Sequence, residues 1–292
     1  MKILLFGRNG QLGARLTDAL APLGTVQALG RSDVDLADPA SIERRIRDSA
    51  AEIIINAAAY TAVDQAEADE TTAMRVNGEA PAVMAQCARA CGALLVHYST
   101  DYVFDGMAHT PYREDDATAP LGVYGRSKLA GEEAVRRSGA MHLVLRTAWL
   151  YANQGRNFLN TMLRIAGEGK PLRVVNDQRG SPTNADSVAA ATVEVLRVCS
   201  GAGARCASFS GVYHMTCGGE ATWFEFAQRI FELAGLAPVA LSPISSRDYP
   251  TPARRPAYSV LSNDKLARVF GVRLPHWEEA LRQCLAQRRV QP

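Results

Sequence analysis

A tyrosine and a lysine stand four residues apart in the segment Tyr124-Gly125-Arg126-Ser127-Lys128. If Leu121 to Arg137 forms a helix, both side chains lie on one face, because residues i and i+4 are neighbours there. A phenol normally keeps its proton until about pH 10, and a nearby ammonium lowers that pKa by stabilising the phenolate. The pair can therefore pass a proton to or from a carbonyl or alcohol oxygen near neutral pH. The spacing alone is also common on solvated helix faces, so it needs support from elsewhere in the chain.

A glycine-rich turn gives that support. It follows a predicted strand, Lys2 to Phe6, and reads Gly7-Arg8-Asn9-Gly10-Gln11-Leu12-Gly13 before a helical pattern. Glycines at such a junction let the backbone approach a pyrophosphate, and the helix N-terminus supplies free N–H groups and the positive end of the helix dipole. A plain tight turn is the alternative, but the position directly after a strand favours dinucleotide binding.

The end of the second predicted strand, Val26 to Leu29, bears on the choice of cofactor. In βαβ units that bind dinucleotides, an acid there bonds the adenine ribose, whereas an arginine accommodates a 2′-phosphate. Here the strand ends in Gly30-Arg31-Ser32, and Arg31 favours NADPH. Asp33 and Asp35 follow closely and leave NADH open, and Arg31 as a solvated loop charge is the remaining interpretation.

Two later predicted strands run into residues suited to a binding site. The third, Ile53 to Asn56, continues into Ala57-Ala58-Ala59-Tyr60-Thr61, where small residues permit either a nearby cofactor ring or simple close packing. The fourth, Leu94 to Tyr98, continues into Ser99-Thr100-Asp101-Tyr102, at the sheet edge where open α/β folds bind ligands. A hydroxyl there can bond a substrate carbonyl. Between these two strands, Glu70 to Cys91 is predicted as one long helix.

Beyond the fifth predicted strand, His142 to Arg146, the strand–helix alternation weakens. Trp149 suits stacking on a planar ligand group or core packing, and the adjacent Arg254 and Arg255 suit a diphosphate or solvent. The chain is therefore predicted to be α/β, with a Rossmann-type doubly wound parallel sheet in a dinucleotide-binding domain over residues 1–150. Residues 151–292 are predicted to form mainly a smaller α/β substrate domain.

Composition excludes several classes of protein. The 292 residues are 47% hydrophobic and 21% charged, with a formal net charge of +2. Mixed signs without long blocks predict no nucleic-acid or membrane surface, and the uncharged stretch at a predicted strand, 53 to 63, falls far short of the roughly 20 residues of a membrane span. The start resembles no signal peptide, and the six cysteines include no Cys-x-x-Cys pair. We therefore expect a cytoplasmic protein with free thiols.

Several of these motifs together resemble the extended short-chain dehydrogenase/reductases, a Rossmann-fold family: Gly7-x-x-Gly10-x-x-Gly13, Asn56-Ala57-Ala58-Ala59, Ser99-Thr100-Asp101 and Tyr124-x-x-x-Lys128. Longer blocks, spread over essentially the whole chain, resemble the dTDP-4-dehydrorhamnose reductases within it: Asn56 to Asp64, Tyr98 to Phe104, Arg146 to Tyr151 and Pro250 to Pro256. The resemblance implies reduction of the C4 keto group of dTDP-4-dehydro-L-rhamnose by NADPH, or NADH. It also implies that later segments, roughly 171–200, cross back to the first domain.

The same resemblance implies roles for single residues. Tyr124 gives a proton to the forming alkoxide, Lys128 lowers its pKa and holds the nicotinamide ribose, and Thr100 bonds the reacting oxygen. With Arg31 from the strand end, the candidate cofactor residues are Gly7, Asn9, Gly10, Gln11, Leu12, Gly13, Arg31, Asp35, Leu36, Ala59, Tyr60, Thr61, Tyr98, Tyr124 and Lys128. The candidate residues for the sugar nucleotide are Thr100, Asp101, Tyr102, Trp149, Arg254 and Arg255.

Other functions stay open. A 4,6-dehydratase of the superfamily would carry a glutamate where Tyr102 stands, and a 4-epimerase is opposed by the Thr251 to Pro256 block. A non-catalytic regulatory subunit, for which the fold is reused in methionine adenosyltransferase, is opposed by the intact set of Thr100, Tyr124 and Lys128. Some family members are described as metal-bridged dimers, so the resemblance also suggests Mg²⁺ and a homodimer. No metal ligand can be placed in this sequence.

Overall fold

Apolar runs of the sequence form the strands of the main sheet, and shorter strands follow later in the chain. The computed structural model describes residues 1–168, 171–236 and 240–290. In chain order its strands are β1 (Lys2–Phe6), β2 (Thr25–Leu29), β3 (Ile53–Asn56), β4 (Leu94–Thr100), β5 (His142–Thr147), β6 (Leu150–Tyr151), β7 (Leu172–Val175), β8 (Arg179–Gly180), β9 (Thr183–Asn184), β10 (Gly211–His214), β11 (Ala221–Thr222) and β12 (Leu241–Ile244).

Helices connect these strands. They are α1 (Gln11–Ala19), α2 (Pro39–Ser49), α3 (Val63–Ala66), α4 (Glu70–Met74), α5 (Ala80–Cys91), α6 (Val123–Arg137), α7 (Phe158–Gly167), α8 (Ala185–Gly201), α9 (Trp223–Ala234), α10 (Asp264–Phe270) and α11 (Trp277–Val290). Short 3₁₀ turns occur at Ala21–Leu23, Asp101–Val103, Gly203–Phe209 and Ser246–Asp248. No helix in the described part of the chain is long and apolar enough to cross a membrane.

The main sheet has six parallel strands in the order β10-β5-β4-β3-β1-β2. Helices cover both of its faces. On one face Leu12 and Leu16 of α1 share a core with Val188 of α8, and on the other Ile42 of α2 shares a core with Met84 of α5. The predicted doubly wound Rossmann-type sheet is confirmed. Because all six strands run the same way, the segments after β1, β2, β3, β4 and β5 meet at one edge.

The segment Glu70–Cys91 differs from the single helix predicted. A π-helical turn, Arg75–Glu79, separates α4 from α5. The wider turn leaves the side chain of Asn77 buried, with 1% exposure, in contact with the loop after β3. π-turns inside α-helices often occur at functional sites, which directs attention to that loop.

The later half of the chain contributes to both parts of the fold. Strand β10 joins the edge of the main sheet beside β5, and α8 lies against α1. Strand β7, in contrast, pairs with β12 in a separate two-stranded sheet. The predicted return of the segment 171–200 to the first domain stays a prediction; within it, α8 packs on α1, and Leu172 and Val174 of β7 belong to the same core. The division near residue 150 stays a prediction.

Candidate active site

Helix α6 carries Tyr124 and Lys128 and is fixed at its first turn by a contact from another helix. Its N-cap, Gly122, has no capping side chain. The Glu67 carboxylate accepts the Val123 N–H at 2.8 Å, and an acid at a helix N-terminus also interacts favourably with the helix dipole. One turn into the helix, the backbone of Gly125 lies so close to the Tyr102 carbonyl that a Cβ would collide with it. The helix can therefore approach the end of β4.

The hydroxyl of Thr100 lies near the phenol of Tyr124, close enough to act on its pKa. Thr100 also donates to Asp101 Oδ1 at 3.0 Å and accepts the Tyr102 N–H at 3.1 Å. The ring of Tyr102 meets that of Tyr124 edge to face, with centroids 5.7 Å apart. The end of β4 and the start of α6 thus form one cluster of hydroxyl groups. This is the grouping expected from the sequence.

The pKa of Tyr124 shifts in the direction opposite to the prediction. Burial raises it to about 12, the nearby Thr100 hydroxyl offsets this only in part, and the Asp101 charge adds to the rise. Burial is therefore the larger effect on this pKa, and the predicted stabilisation of the phenolate by Lys128 stays a prediction. A phenol with this pKa is fully protonated at neutral pH. It is poised to donate a proton to an oxygen.

Lys128 is almost completely buried, at 2% exposure. Its Nζ donates to the backbone oxygen of Tyr98 at 2.6 Å. Burial lowers the pKa of Lys128 to about 8, against the opposing charge of Glu132, which raises it. Below that pH the ammonium is a positive charge at the base of the site.

Arg254 and Arg255, predicted together for a diphosphate, have different surroundings. Arg255 pairs with Asp64 at 2.8 Å and also bonds the Tyr102 hydroxyl. Burial raises the pKa of Asp64, but hydrogen bonds from Arg255 and the Ala253 N–H outweigh it and lower that pKa. Arg254 is exposed and lines the small pocket that Tyr102 and Tyr124 share. Arg254 is thus the better placed of the two for an anionic ligand.

Asp101, another candidate for the sugar nucleotide, lies below the surface, at 2% exposure. Burial raises the pKa of its carboxyl to about 6, against the lowering effects of the Ser259 and Thr100 hydroxyls. The observed hydrogen bond is the one that Thr100 donates to Asp101 Oδ1. Its position supports the orientation of Thr100.

The glycine-rich loop has the geometry of a pyrophosphate cradle. Gly7 has a φ of 98°, and a Cβ there would lie 2.7 Å from the Ala58 nitrogen, so no other residue fits. Helix α1 begins at Gln11, with Gly10 as an N-cap that offers no side chain. Its first N–H groups therefore have no partner from the helix itself. The Gln11 side chain accepts a hydrogen bond from Asn157 at 2.9 Å, which ties the loop to the segment before α7.

Two arginines lie near the carboxyl end of β2. Arg31 is exposed in the turn after the strand. Arg8, from the glycine-rich loop, donates to the Ala28 carbonyl at 3.2 Å and pairs with Asp33 at 3.1 Å. Asp33 in turn accepts the Gly30 N–H at 2.7 Å. Sequence reasoning missed Arg8, because the contact between β1 and β2 exists only in the folded sheet.

Asp35 and Leu36, predicted at the adenine end, follow that turn. The Asp35 carboxylate is exposed and accepts the Ala37 N–H at 2.9 Å. Leu36 is half-buried against the core beneath α2. Both lie past the carboxyl end of β2, on the same side of the sheet as the glycine-rich loop.

The loop Ala59-Tyr60-Thr61, predicted to border the cofactor, is held by Asn77 of the π-turn. The Asn77 amide accepts the Tyr60 N–H at 2.8 Å and donates to the Tyr60 carbonyl at 3.0 Å. It also donates to Ser127 Oγ on α6 at 3.0 Å. Asn77 and Glu67, which hold this loop and the start of α6, were missed by the sequence reasoning. A polar residue within an apolar helix pattern is the one signal that pointed to Asn77.

Two candidates, Tyr98 and Trp149, have rings that pack against other side chains of the protein. The Tyr98 ring is buried on the α8 face, where its hydroxyl hydrogen-bonds Thr192 at 2.6 Å, because side chains alternate along a strand. Tyr98 therefore presents its carbonyl to Lys128, and its predicted contact with the cofactor stays a prediction. The Trp149 ring is stacked on Trp223, with centroids 3.5 Å apart, and is covered on that side. Trp149 has a φ of 45°, which is rare for a bulky residue and typical of functional sites.

Metal binding gains no support from side-chain grouping. Over residues 1–168, 171–236 and 240–290, no three His, Cys, Asp or Glu side chains are arranged to hold an ion. Mg²⁺ therefore rests on the family resemblance alone.

Known proteins resemble this chain along its full length. Residues 1–290 match the family model described as RmlD substrate binding domain. A dTDP-4-dehydrorhamnose reductase of Burkholderia thailandensis is 48% identical, with 98% of each chain covered, and one of Sinorhizobium fredii is 43% identical, with 97% of this chain and 96% of that one covered. A crystal structure of dTDP-4-dehydrorhamnose reductase from Bacillus anthracis in complex with NADP superposes with a TM-score of 0.91 at 34% identity, covering 98% of this chain and all of that one.

The position of Asn77 leads to a prediction about stability. Replacing Asn77 by Ala leaves the N–H and the carbonyl of Tyr60 without their partner, which should lower the free energy of unfolding by about 2–4 kcal/mol. Urea denaturation followed by circular dichroism measures this. Gln283→Ala, which removes an exposed amide bonded within its own helix, is the control. Equal stability of the two variants would show that Asn77 does not hold the loop.

Proposed function

The chain belongs to the RmlD substrate-binding-domain family, and on that basis we propose that it is an NAD(P)H-dependent oxidoreductase acting on dTDP-4-dehydro-L-rhamnose. The reaction is reduction of the C4 keto group to the alcohol, which gives dTDP-L-rhamnose. The relatives named dTDP-4-dehydrorhamnose reductase support this substrate. The observation that carries the proposal is the grouping of Thr100, Tyr124 and Lys128 at the carboxyl end of β4.

The loop and helix ends at that edge fit a dinucleotide. Gly7 and the N-terminus of α1 suit its pyrophosphate, and the loop held by Asn77 suits the nicotinamide end. NADPH, when bound there, supplies the hydride. The NADP in the Bacillus anthracis structure supports this cofactor type. Cytoplasmic location and a homodimer are part of the proposal and rest on the family resemblance.

The residues of the chain supply the proton. The Tyr124 phenol, protonated because burial raises its pKa, donates to the oxygen at C4 as negative charge develops there. Thr100 bonds the same oxygen and orients the phenol. The Lys128 ammonium stabilises the phenolate left behind. Each of these groups must carry its proton at the start of the reaction.

The first test is direct. Purified protein is incubated with dTDP-4-dehydro-L-rhamnose, and absorbance of NADPH and of NADH is followed in parallel. Oxidation of either cofactor supports the reductase. Absence of oxidation by a protein that still binds NADPH would instead favour the regulatory role or another sugar nucleotide.

Removing the Tyr124 hydroxyl should reduce the rate of the reaction without affecting the stability of the fold. Tyr124→Phe should lose about 10² to 10⁴ in turnover, the usual contribution of a general acid, while its melting temperature and NADPH affinity stay near normal. Tyr249→Phe, at a tyrosine that is 61% exposed, is the matched control. Near-normal turnover of Tyr124→Phe would remove it from the proposed role.

Cofactor preference should depend on the arginines beyond β2. We expect the 2′-phosphate of NADPH to be bound by Arg31 with Arg8. Either arginine changed to Ala should then weaken NADPH binding about tenfold and leave NADH binding nearly unchanged, as measured by fluorescence titration. Arg173→Ala, an exposed arginine on β7, is the control. An equal loss of affinity for NADPH and NADH would show that these arginines do not bind the 2′-phosphate.

The two adjacent arginines near Tyr102 should behave differently from each other. Arg254→Ala should raise KM for the sugar nucleotide about tenfold, because an exposed cation beside the pocket suits a diphosphate. Arg255→Ala should mainly lower the melting temperature, since it leaves Asp64 without its partner. Steady-state kinetics and thermal denaturation distinguish the two. The same KM for Arg254→Ala and wild type would exclude Arg254 as a diphosphate ligand.

A further inference from the structure

The segment that connects β6 to α7, residues 152–157, lies along α1. It is held at two points of that helix, which are one turn apart. Asn157 Nδ2 donates to Gln11 Oε1 at 2.9 Å, and Asn153 Oδ1 accepts a hydrogen bond from Arg15 Nη2. Asn153 is buried, with 7% exposure. A segment from the later half of the chain therefore contacts the helix whose N-terminus is proposed to bind the cofactor.

The orientation of the Asn157 amide is determined by its own partners. Its Oδ1 caps α7 by accepting the Asn160 N–H at 2.9 Å. Its Nδ2 donates to the Gln11 side chain and to the backbone oxygens of Ala152 at 2.9 Å and Gln154 at 3.2 Å. A flipped amide would place oxygen against oxygen at all three contacts. Asn157 therefore presents an N–H to Gln11.

This donor in turn fixes the amide of Gln11, the half-buried first residue of α1. Because the Gln11 oxygen accepts from Asn157, its Nε2 group faces elsewhere, and over residues 1–168, 171–236 and 240–290 it has no hydrogen-bond partner. In the same described part of the chain, the backbone N–H groups of Gln11, Leu12 and Gly13 have none either. Such N–H groups are free to bind a side-chain oxygen or a ligand.

The Gln11 oxygen would compete with an anionic ligand for these N–H groups. Side-chain oxygens in the first turn of a helix can accept unpartnered N–H groups, as those of Glu and Gln do in a capping box. An oxygen placed there would also disfavour an anion, which the positive end of the helix dipole attracts. The hydrogen bond from Asn157 prevents this competition, because it engages the oxygen elsewhere.

We propose that Asn157 is a positioning residue for the dinucleotide. By binding the Gln11 oxygen, it leaves the first N–H groups of α1 and the Gln11 Nε2 group available to donate to the pyrophosphate. The inference rests on the proposed function, since that function places the pyrophosphate at α1. It assigns part of cofactor binding to a residue 146 positions away from the glycine-rich turn.

Asn157→Ser tests this role and retains the cap of α7. Serine caps helices as well as asparagine does, so it can still accept the Asn160 N–H, but it is shorter, uncharged and has no amide to hold Gln11. NADPH binding, measured by fluorescence titration, should weaken about tenfold. Binding of 2′-AMP, which has no pyrophosphate, should be unchanged, and so should binding of dTDP, whose diphosphate belongs to the sugar nucleotide. Unchanged NADPH affinity, or a loss for dTDP alone, would overturn the proposal.

Asn160→Ser is the matched control. Asn160 Nδ2 holds the same segment, at 3.2 Å from the Ala152 oxygen and 2.9 Å from the Gly155 oxygen, and in the described part of the chain it bonds no atom of α1. This variant should lower the melting temperature and keep NADPH affinity near that of wild type. An equal loss of NADPH affinity in the two serine variants would show that the whole segment acts on the cofactor, which contradicts a specific role of Asn157.

A double-mutant cycle identifies the residue through which Asn157 acts. In Gln11→Ala there is no side-chain oxygen to engage, so adding Asn157→Ser should not change the NADPH dissociation constant further. A purely structural role of Asn157 would produce the same loss of affinity with and without the Gln11 side chain. Steady-state kinetics should agree, with KM for NADPH raised in Asn157→Ser and kcat near that of wild type.

Failure to fold does not remove the test. If Asn157→Ser cannot be purified, Gln11→Glu decides the question. One carboxylate oxygen can still accept from Asn157 while the other replaces Nε2, so NADPH binding should weaken by about tenfold or more, and unchanged affinity contradicts the proposal. If the affinities change as expected but wild-type protein oxidises no NADPH with dTDP-4-dehydro-L-rhamnose, the proposed reaction fails and the role of Asn157 stands.

Discussion

The site depends on the ammonium group of Lys128, which is almost completely buried. Transfer of an unpaired charge out of water costs several kcal/mol, and proteins offset it with hydrogen bonds and opposite charges. For Lys128 the offset comes from the Tyr98 carbonyl at 2.6 Å and from Glu132 on the next turn. Both interactions of Lys128 form only when α6 is held in one position relative to the carboxyl end of β4. The placement of that helix is therefore the constraint on which the rest of the site is built.

Four contacts fix the helix. Glu67 caps its first turn, the bare backbone of Gly125 admits the Tyr102 carbonyl, Ser127 receives the amide of Asn77, and Glu132 pairs with β5. The third contact extends further, because the same Asn77 amide holds the loop after β3. The helix that bears the acid and the loop predicted to border the cofactor therefore share one buried side chain. A shift of either element disturbs the other.

Local patterns were enough to predict the sheet and the main catalytic candidates. Continuous apolar runs predict the strands of a parallel sheet. The glycine-rich turn and the tyrosine–lysine pair are motifs of only a few consecutive residues, so the sequence alone reveals them. Contacts between distant segments were not predictable: Glu67 meets α6 across 56 residues, and Arg8 meets Asp33 only because β1 and β2 are adjacent. The orientation of Tyr98 was within reach of the sequence, since strand alternation places it with Leu94 and Val96 in one core.

The direction of the Tyr124 shift matters for the chemistry. A tyrosine that accepts a proton from an alcohol must first be ionised, and each unit by which its pKa exceeds the pH costs about 1.4 kcal/mol. With burial raising that pKa to about 12, ionisation is strongly disfavoured at neutral pH. A tyrosine that donates its proton to a carbonyl oxygen starts from the form that predominates at neutral pH. The phenolate that it leaves carries the same cost, and the Lys128 ammonium reduces that cost as the charge forms. The half-buried phenol is therefore held in the protonated form from which reduction starts, and the charge of Lys128 contributes most after the proton has left.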